Sequence, residues 1–312
     1  MHILITGGAG FIGRTLCETL IRKNIQITII DKKPTFLNKN AIVNYIQANV
    51  CNKDKIQSIF DTYQFDGIVH LAAVSRVVEA EMNKPECRKT NVEGIQVVLN
   101  AIEQSQQNPW LIFGSSREVY GEQSQLPVKE NDLKQAVNVY GETKIKGETL
   151  FFDFAKQHDL SCAIVRFSNV YGNRYDIFDR VIPRFIRAIV ENSTLTIEGG
   201  DQLIDFTHID DTVASLVKII FYLDKHDNIQ DAFHLCPGIG WSLQQLIQYI
   251  ENATGQEAQI KVNPKRNYDV VKFVGDMNYS RNKLGLKEFI DLEVGIQRSI
   301  DEYCYDLQGC VE

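Results

Sequence analysis

His2-Ile-Leu-Ile-Thr-Gly-Gly-Ala-Gly-Phe-Ile-Gly13 opens the chain, and Asp31 follows 18 residues after Gly13. His2–Thr6 is a short apolar run stopped by glycine, the pattern of a buried strand. Phe11–Lys23 predicts a helix, with Ile12, Leu16, Thr19 and Leu20 at helical spacing. Between them Gly7, Gly10 and Gly13 stand in GxxGxxG spacing. Small residues at such a junction let the backbone turn sharply and approach a pyrophosphate, while the helix N-terminus offers unpaired N–H groups and positive partial charge. Ile25–Ile30 predicts a second strand that ends at Asp31. A carboxylate at that point bonds the adenosine ribose hydroxyls and repels a 2′-phosphate, so NAD is favoured over NADP. Lys32 and Lys33 act against that preference, because cations suit a 2′-phosphate. Taken singly, the glycines also serve as turn formers and the acid as a solvated loop residue. It is their order, strand then glycines then amphipathic helix then acid, that points to a dinucleotide.

Outward from this stretch, strand and helix patterns alternate, as in a parallel doubly wound sheet. Gly67–Leu71, Trp110–Gly114 and Ala163–Phe167 predict further buried strands, and Asn91–Ser105 and Val139–His158 predict helices. After about Tyr171 the pattern loosens into short elements, among them Ile182–Glu191, Asp211–Leu223 and Ser242–Thr254. The expected fold class is therefore α/β: a Rossmann doubly wound parallel sheet with a smaller C-terminal substrate-binding lobe. Residues 1–171 would form mainly the NAD-binding domain and 172–312 mainly the substrate lobe, with some elements returning to the first. No repeat or low-complexity linker separates the two.

Composition bounds the function classes. At 312 residues the chain can bury a substantial core, and 44% hydrophobic with 23% charged residues argues against disorder. A formal net charge of −7 without a basic stripe argues against nucleic acid as a partner, so a phosphate-bearing ligand would be held by helix N-termini and single arginines. The seven cysteines (17, 51, 87, 162, 236, 304 and 310) include no CxxC pair, which fits reduced thiols and neither a disulfide frame nor a zinc site. The chain enters a strand at once, so no signal peptide is expected ahead of it, and its apolar stretch at Leu216–Leu223 is too short to span a bilayer. A cytoplasmic, membrane-free protein is expected.

Tyr140-Gly-Glu-Thr-Lys144 places a phenol and an ammonium on one helix face. A free phenol titrates near ~10, too high for an efficient base at neutral pH. A neighbouring lysine and a nicotinamide cation would favour the phenolate, which could then take a hydroxyl proton while hydride leaves the same carbon. A surface pair on an amphipathic helix is the plain alternative. His70, at the end of a predicted strand, reads as a core histidine before a catalytic one. Asp210-Asp211 reads as a helix N-cap before a metal site.

With these motifs stand HLAA (His70–Ala73), TNVEG (Thr90–Gly94), GSSREVYG (Gly114–Gly121), RFSNVYG (Arg166–Gly172) and DFTHIDD (Asp205–Asp211). In that order and spacing, over nearly the full length, the chain resembles the extended short-chain dehydrogenase/reductase family of nucleotide-sugar epimerases and dehydratases. The resemblance implies a retained NAD, a nucleotide-diphosphate sugar as substrate, and a homodimer paired through the helices near Asn91–Ser105 and Val139–His158. It implies Tyr140 as C4-hydroxyl base, Lys144 as its partner and nicotinamide-ribose ligand, and Ser116 on the sugar hydroxyl. NAD contacts are implied for Gly7, Gly10, Phe11, Ile12, Gly13, Asp31, Lys32, Asn49, Val50, Leu71, Ala72, Ala73, Tyr140, Lys144 and Phe167. Substrate contacts are implied for Arg76, Ser116, Asn169, Arg180 and Arg266.

Two positions depart from the family. Glu118, two residues after Ser116, matches the glutamate that removes the C5 proton in related 4,6-dehydratases, where many 4-epimerases carry an uncharged residue. Arg117 replaces the dehydratase acid and cannot donate a proton at working pH. Glu118 leans the expectation toward a dehydratase acting at C5/C6, because a carboxylate suits a proton made acidic by an adjacent ketone. A UDP-sugar 4-epimerase is the alternative, and an ion pair with Arg117 is the alternative role for Glu118. A sugar-nucleotide decarboxylase, a reductase consuming NAD(P)H and a non-catalytic NAD-binding protein complete the field. The second departure is Ile204, where many members carry the arginine that holds the diphosphate. Arg180, Arg184, Arg187 and Arg266 are the candidates to replace it.

Overall fold

A computed structural model of the protein describes residues 1–308 apart from Phe36, Asn38 and Lys39, with side chains described as far as Tyr303. The chain divides into two compact units: Met1–Gly121, Leu133–Phe167 and Val213–Phe233 form one, and Glu122–Asp132, Ser168–Thr212 and His234–Glu312 the other.

The first unit is built on β1 (His2–Thr6), α1 (Phe11–Arg22), β2 (Gln26–Asp31), β3 (Val43–Gln47), α2 (Lys53–Thr62) and β4 (Gly67–His70). It continues through α3 (Val77–Met82), α4 (Lys84–Arg88), α5 (Gly94–Ser105), β5 (Trp110–Ser116), α6 (Val139–Gln157) and β6 (Cys162–Phe167). A seven-stranded sheet runs in the order β10-β6-β5-β4-β1-β2-β3, where β10 is Gln230–Leu235. The pairs from β6 to β3 are all parallel. This is a doubly wound Rossmann arrangement, and the strand order reverses between β1 and β4, the point at which such sheets open a crevice beyond their C-terminal ends. One sheet face is sealed by Leu4, Ile68, Leu111, Phe113 and Ile164 packed with Ile95, Val98, Ile102 and Phe151. On α1, Leu16, Cys17 and Leu20 are buried at helical spacing.

In the second unit come β7 (Asn169–Tyr171), α7 (Val181–Val190), β8 (Thr194–Glu198), β9 (Leu203–His208), β11 (Gly240–Ser242), α9 (Leu243–Thr254), β12 (Gln259–Asn263) and β13 (Lys272–Phe273). α8 (Ile209–Leu223) follows β9, and α10 (Asn278–Leu284) and α11 (Leu292–Gln308) close the described chain. Strand β9 is paired by β11, β13 and β7, and β8 pairs with β12. Their core gathers Ile182, Phe185, Ile189, Phe206, Leu246, Ile250 and Ile296.

Several boundaries differ from those expected of the sequence. Strand β4 stops at His70, so Leu71 already lies in the loop. The helix expected at Asn91 is entered through a π-helical turn, Lys89–Glu93, before α5 begins at Gly94. Helix α8 starts at Ile209, which puts Asp210 and Asp211 inside its first turn and not at the N-cap. Carboxylates there complement the helix dipole. Strand β3, helix α2 and strand β10 are not among the expected elements, although α2 buries Ile56, Ile59 and Phe60 at helical spacing. Cys17, Cys51, Cys87, Cys162 and Cys236 are free thiols, while the side chains of Cys304 and Cys310 fall outside the described residues. Among the described residues no helix is long and apolar enough to cross a membrane.

Candidate active site

The glycine loop has room only for glycine where the backbone must close on itself. Gly7 adopts φ +74°, and a Cβ there would lie 2.6 Å from the Ala72 nitrogen. A Cβ on Gly13 would lie 2.3 Å from the Gly7 carbonyl oxygen. The loop therefore runs flat against the β4 exit, and α1 starts at Phe11 with first-turn N–H groups that no acidic side chain of its own opposes. Asp31 leaves β2 beside it: Oδ2 accepts from the Ala9 N–H at 2.9 Å and Oδ1 from the Lys33 N–H at 2.9 Å. Each oxygen keeps a lone pair for a ribose hydroxyl. A glycine cradle, an open helix N-terminus and an acid at the second strand end together fit a dinucleotide of the NAD type.

Around this cradle, Phe11 and Val50 are buried, as is Phe167, while Ile12, Leu71, Ala72 and Ala73 are half-buried and Lys32 exposed. Val50 belongs to the apolar core under the sheet. Asn49 is exposed and its Oδ1 accepts from the Cys51 N–H at 2.9 Å. His70 is buried with its Nδ1 3.0 Å from Thr6 Oγ1, and burial with the nearby Lys144 charge pushes it down to about 3. A histidine that stays neutral between Phe113 and Phe151 is a core residue, as expected from sequence, but its buried Nε2 has no hydrogen-bond partner among the described residues.

The residues expected from sequence to react lie at the C-terminal end of β5 and on α6. Ser116 ends β5 and its Oγ accepts from the Glu118 N–H at 3.2 Å, capping a 3-10 turn over Arg117–Val119. Tyr140 and Lys144 share a face of α6, with Lys144 Nζ 5.6 Å from the Tyr140 ring centroid. Nζ donates to the Gly114 carbonyl at 2.6 Å and stands 4.8 Å from the Phe113 ring. Burial pushes the Lys144 ammonium down to about 8, opposed by the charge of Glu148. A buried cation beside a phenol favours the phenolate, which is the condition for proton abstraction near neutral pH.

Glu118 is buried, and both of its oxygens are engaged inside the chain. Oε1 lies 3.1 Å from Arg117 Nη2, and Oε2 accepts from Asn138 Nδ2 at 2.7 Å. Asn138 is also the N-cap of α6, its Oδ1 accepting from the Gly141 N–H at 2.8 Å. Glu118 thus braces the start of the helix that carries Tyr140. Asn138 is not among the residues expected from sequence, although an Asn directly before Val139 is an N-cap signal. Arg76 is the N-cap residue of α3 in the same unit.

The other expected substrate residues belong to the second unit. Asn169 starts β7, opposite Phe206 of β9. Arg180 Nη1 lies 3.6 Å from Asp176 Oδ1, Arg187 Nε donates to Glu191 at 2.9 Å, and Arg266 Nε donates to Asp269 at 2.7 Å. Arg184 keeps a buried Nε with no hydrogen-bond partner among the described residues. Ile204 is a core residue of β9, paired with Trp241 and Phe273 across the strands. Asp211 Oδ2 accepts from the Ile290 N–H at 2.7 Å, and among the described residues no acid or histidine group forms a metal cluster.

Residues 3–234 match the NAD dependent epimerase/dehydratase family. The chain belongs to that family. Its members are NAD-dependent, in keeping with the cradle described above. A putative UDP-glucose 4-epimerase of Methanocaldococcus jannaschii is 29% identical, over 96% of this chain and 97% of its own. The crystal structure of UDP-glucose 4-epimerase from Thermotoga maritima with UDP-glucose superposes with a TM-score of 0.91 at 26% identity, covering 98% of this chain and 100% of that one. UDP-glucuronic acid 4-epimerase from Bacillus cereus, in complex with UDP-glucuronic acid and NAD, reaches 0.89 at 26% identity over 98% and 100%. The family places the chain among NAD-dependent enzymes of the epimerase/dehydratase type; it does not separate the reactions within the type.

Proposed function

We propose that this protein is a UDP-sugar 4-epimerase, with Tyr140 as the acid–base at the sugar C4 hydroxyl. The observation that carries the choice is the engagement of Glu118 by Arg117 and Asn138. A carboxylate whose two oxygens are drawn to Arg117 and to the Asn138 amide is turned toward the cap of α6, so the expected dehydratase base reads as a brace. Tyr140 takes the C4–OH proton and returns it to the same oxygen once the ketone has presented its other face for hydride return. Lys144 keeps the phenolate accessible, and Ser116, which accepts from Glu118 N–H, still has its own O–H to donate to a sugar oxygen. NAD, when bound along Gly7–Gly13 with its adenosine ribose at Asp31, supplies the acceptor and donor of hydride. The UDP-sugars named for the solved relatives make UDP the first nucleotide to try. For its phosphates and sugar we propose Arg76, Asn169, Arg180 and Arg266, with Arg184 in place of the arginine absent at Ile204. Two chains pair through α5 and α6.

A C5/C6 dehydratase is the second reading, favoured by the place of Glu118 two residues beyond Ser116. Incubating the NAD-loaded protein in deuterated water with UDP-glucose, UDP-galactose and UDP-glucuronic acid separates the two. The epimerase yields the C4 epimer at unchanged mass with no carbon-bound deuterium. Loss of water, or deuterium at C5, reverses the choice; loss of carbon dioxide marks a decarboxylase, and no conversion of any UDP-sugar overturns the proposal.

A further inference from the structure

A buried cluster of charges in the first unit has no part in the chemistry above. Glu148 is fully buried on α6, four residues after Lys144 and eight after Tyr140. Its Oε1 accepts from Ser115 Oγ at 2.6 Å and from Arg166 Nε at 2.8 Å. Its Oε2 accepts from Arg166 Nη2 at 2.8 Å and from Lys134 Nζ at 2.9 Å. Arg166, on β6, faces Ser115 across the β5–β6 pair and donates through Nη1 to the Tyr120 hydroxyl at 2.6 Å. Burial alone would raise the Glu148 carboxyl, but the Arg166 fork and Lys134 outweigh it and hold the group below the usual carboxylate range.

Such a pair is a poor device for stability alone. Stripping a carboxylate and a guanidinium of water costs about what their attraction returns, and a packed apolar pair of similar volume often does as well. What the fork offers is geometry: two parallel N–H···O bonds fix both distance and direction. The three elements it joins are the three that carry reactive groups. Ser115 precedes Ser116, Tyr120 ends the turn that bears Glu118, and Glu148 stands one helical turn beyond Lys144.

We infer that Glu148 and Arg166 are positioning residues whose forked pair locks the end of β5, the turn after it and α6 into the arrangement in which Ser116, Tyr140 and Lys144 act together. This rests on the epimerase reading for the identity of the reaction but not for the clamp itself. The titratable groups facing Lys144 are Tyr140 and Glu148 on its own helix, Cys87 on α4 and His70 on β4. None of them changes charge in an Arg166→Lys variant, so that substitution disturbs position while keeping the field.

The test uses the full chain loaded with NAD. Arg166→Lys is expected to lower kcat for C4 inversion by roughly 100-fold, the scale of a misplacement of about 1 Å, with KM and NAD affinity little changed. In the same variant the Tyr140 phenol, followed by ultraviolet difference titration against a Tyr140→Phe background, is expected to titrate at higher pH than in the wild type, because Lys144 no longer sits against it. Wild-type kcat together with an unmoved Tyr140 titration would overturn the clamp. If Arg166→Lys does not fold, Glu148→Asp, which keeps the charge and shortens the reach of the fork, is measured in the same two ways: a lowered kcat with a raised Tyr140 titration supports the clamp, and wild-type values of both overturn it. If the wild type inverts no UDP-sugar, the functional reading has failed, and the Tyr140 titration by itself decides the clamp.

Discussion

Tyr140 is packed as a core residue with Val74, Ala80, Cys87 and Val139, although its chemistry is polar. Tyr140→Phe keeps the ring in that cluster and removes only the hydroxyl. We expect thermal stability near that of the wild type and a fall in turnover of ~10² to 10⁴, the usual worth of a general acid–base. Melting curves and sugar inversion measured in parallel check this, and wild-type turnover would remove Tyr140 from the mechanism. His70 sets a pH dependence instead. Its folded value lies at about 3 against an ordinary 6.5, so the folded state stays neutral where the unfolded chain binds a proton. The stability it contributes is fully present above about 6.5 and is lost as pH falls toward about 3, at up to ~1.4 kcal/mol per pH unit. In urea titrations between neutral and mildly acid pH, His70→Phe should lose stability less steeply than the wild type. Parallel slopes for the two proteins would refute the assignment.

At the scale of elements, α6 decides the site. It starts where it does because Asn138 satisfies the Gly141 N–H, and the same side chain holds Glu118 through its amide. Asn138→Ala should cost ~1 kcal/mol of stability for the lost cap and should lower kcat as the first turn, with Tyr140, loosens. Asn138→Ser restores a cap oxygen but offers Glu118 no equivalent amide. Recovery of stability without recovery of kcat is the expected result; full recovery of both would show that the Glu118 contact is idle. A second device acts through the π-helical turn Lys89–Glu93, where Asn91 Nδ2 donates to the Val74 carbonyl and to Thr143 Oγ1 at 3.0 Å each. Wide turns of this kind are frequent at functional sites, and this one ties the loop after β4 to the helix that bears Tyr140.

For the molecule as a whole, ligand linkage and assembly are the measurable quantities. NAD at a hundredfold excess over its dissociation constant should stabilise the fold by ~2.7 kcal/mol. NADP at the same concentration should raise Tm less, because a 2′-phosphate meets the Asp31 carboxylate. Equal shifts would reject the Asp31 role, and the exposed Lys32 is the residue that would then account for it. Light scattering at micromolar concentration should report about twice the chain mass of 35.6 kDa; a clean monomer would dismiss the α5–α6 dimer.

The sequence by itself determined the glycine cradle, the acid at the end of β2, the α6 face carrying Tyr140 and Lys144, and the Rossmann class. These are local facts, set by backbone sterics and helical period within a few residues. It also showed which elements are strongly apolar, and so most of the sheet. It did not show β3, whose residues are only partly buried at the sheet edge, or β10, which joins the sheet from far along the chain. Nor could it say what Glu118 does. A glutamate two residues after Ser116 leans toward a base in the sequence, and the brace we propose rests on the hydrogen bond from Asn138, 20 residues away. The Glu148–Arg166 fork was hidden for the same reason, its partners lying 18 residues apart on a helix and a strand. Hydrogen bonds between distant segments are fixed by packing, and packing has no period that a sequence displays.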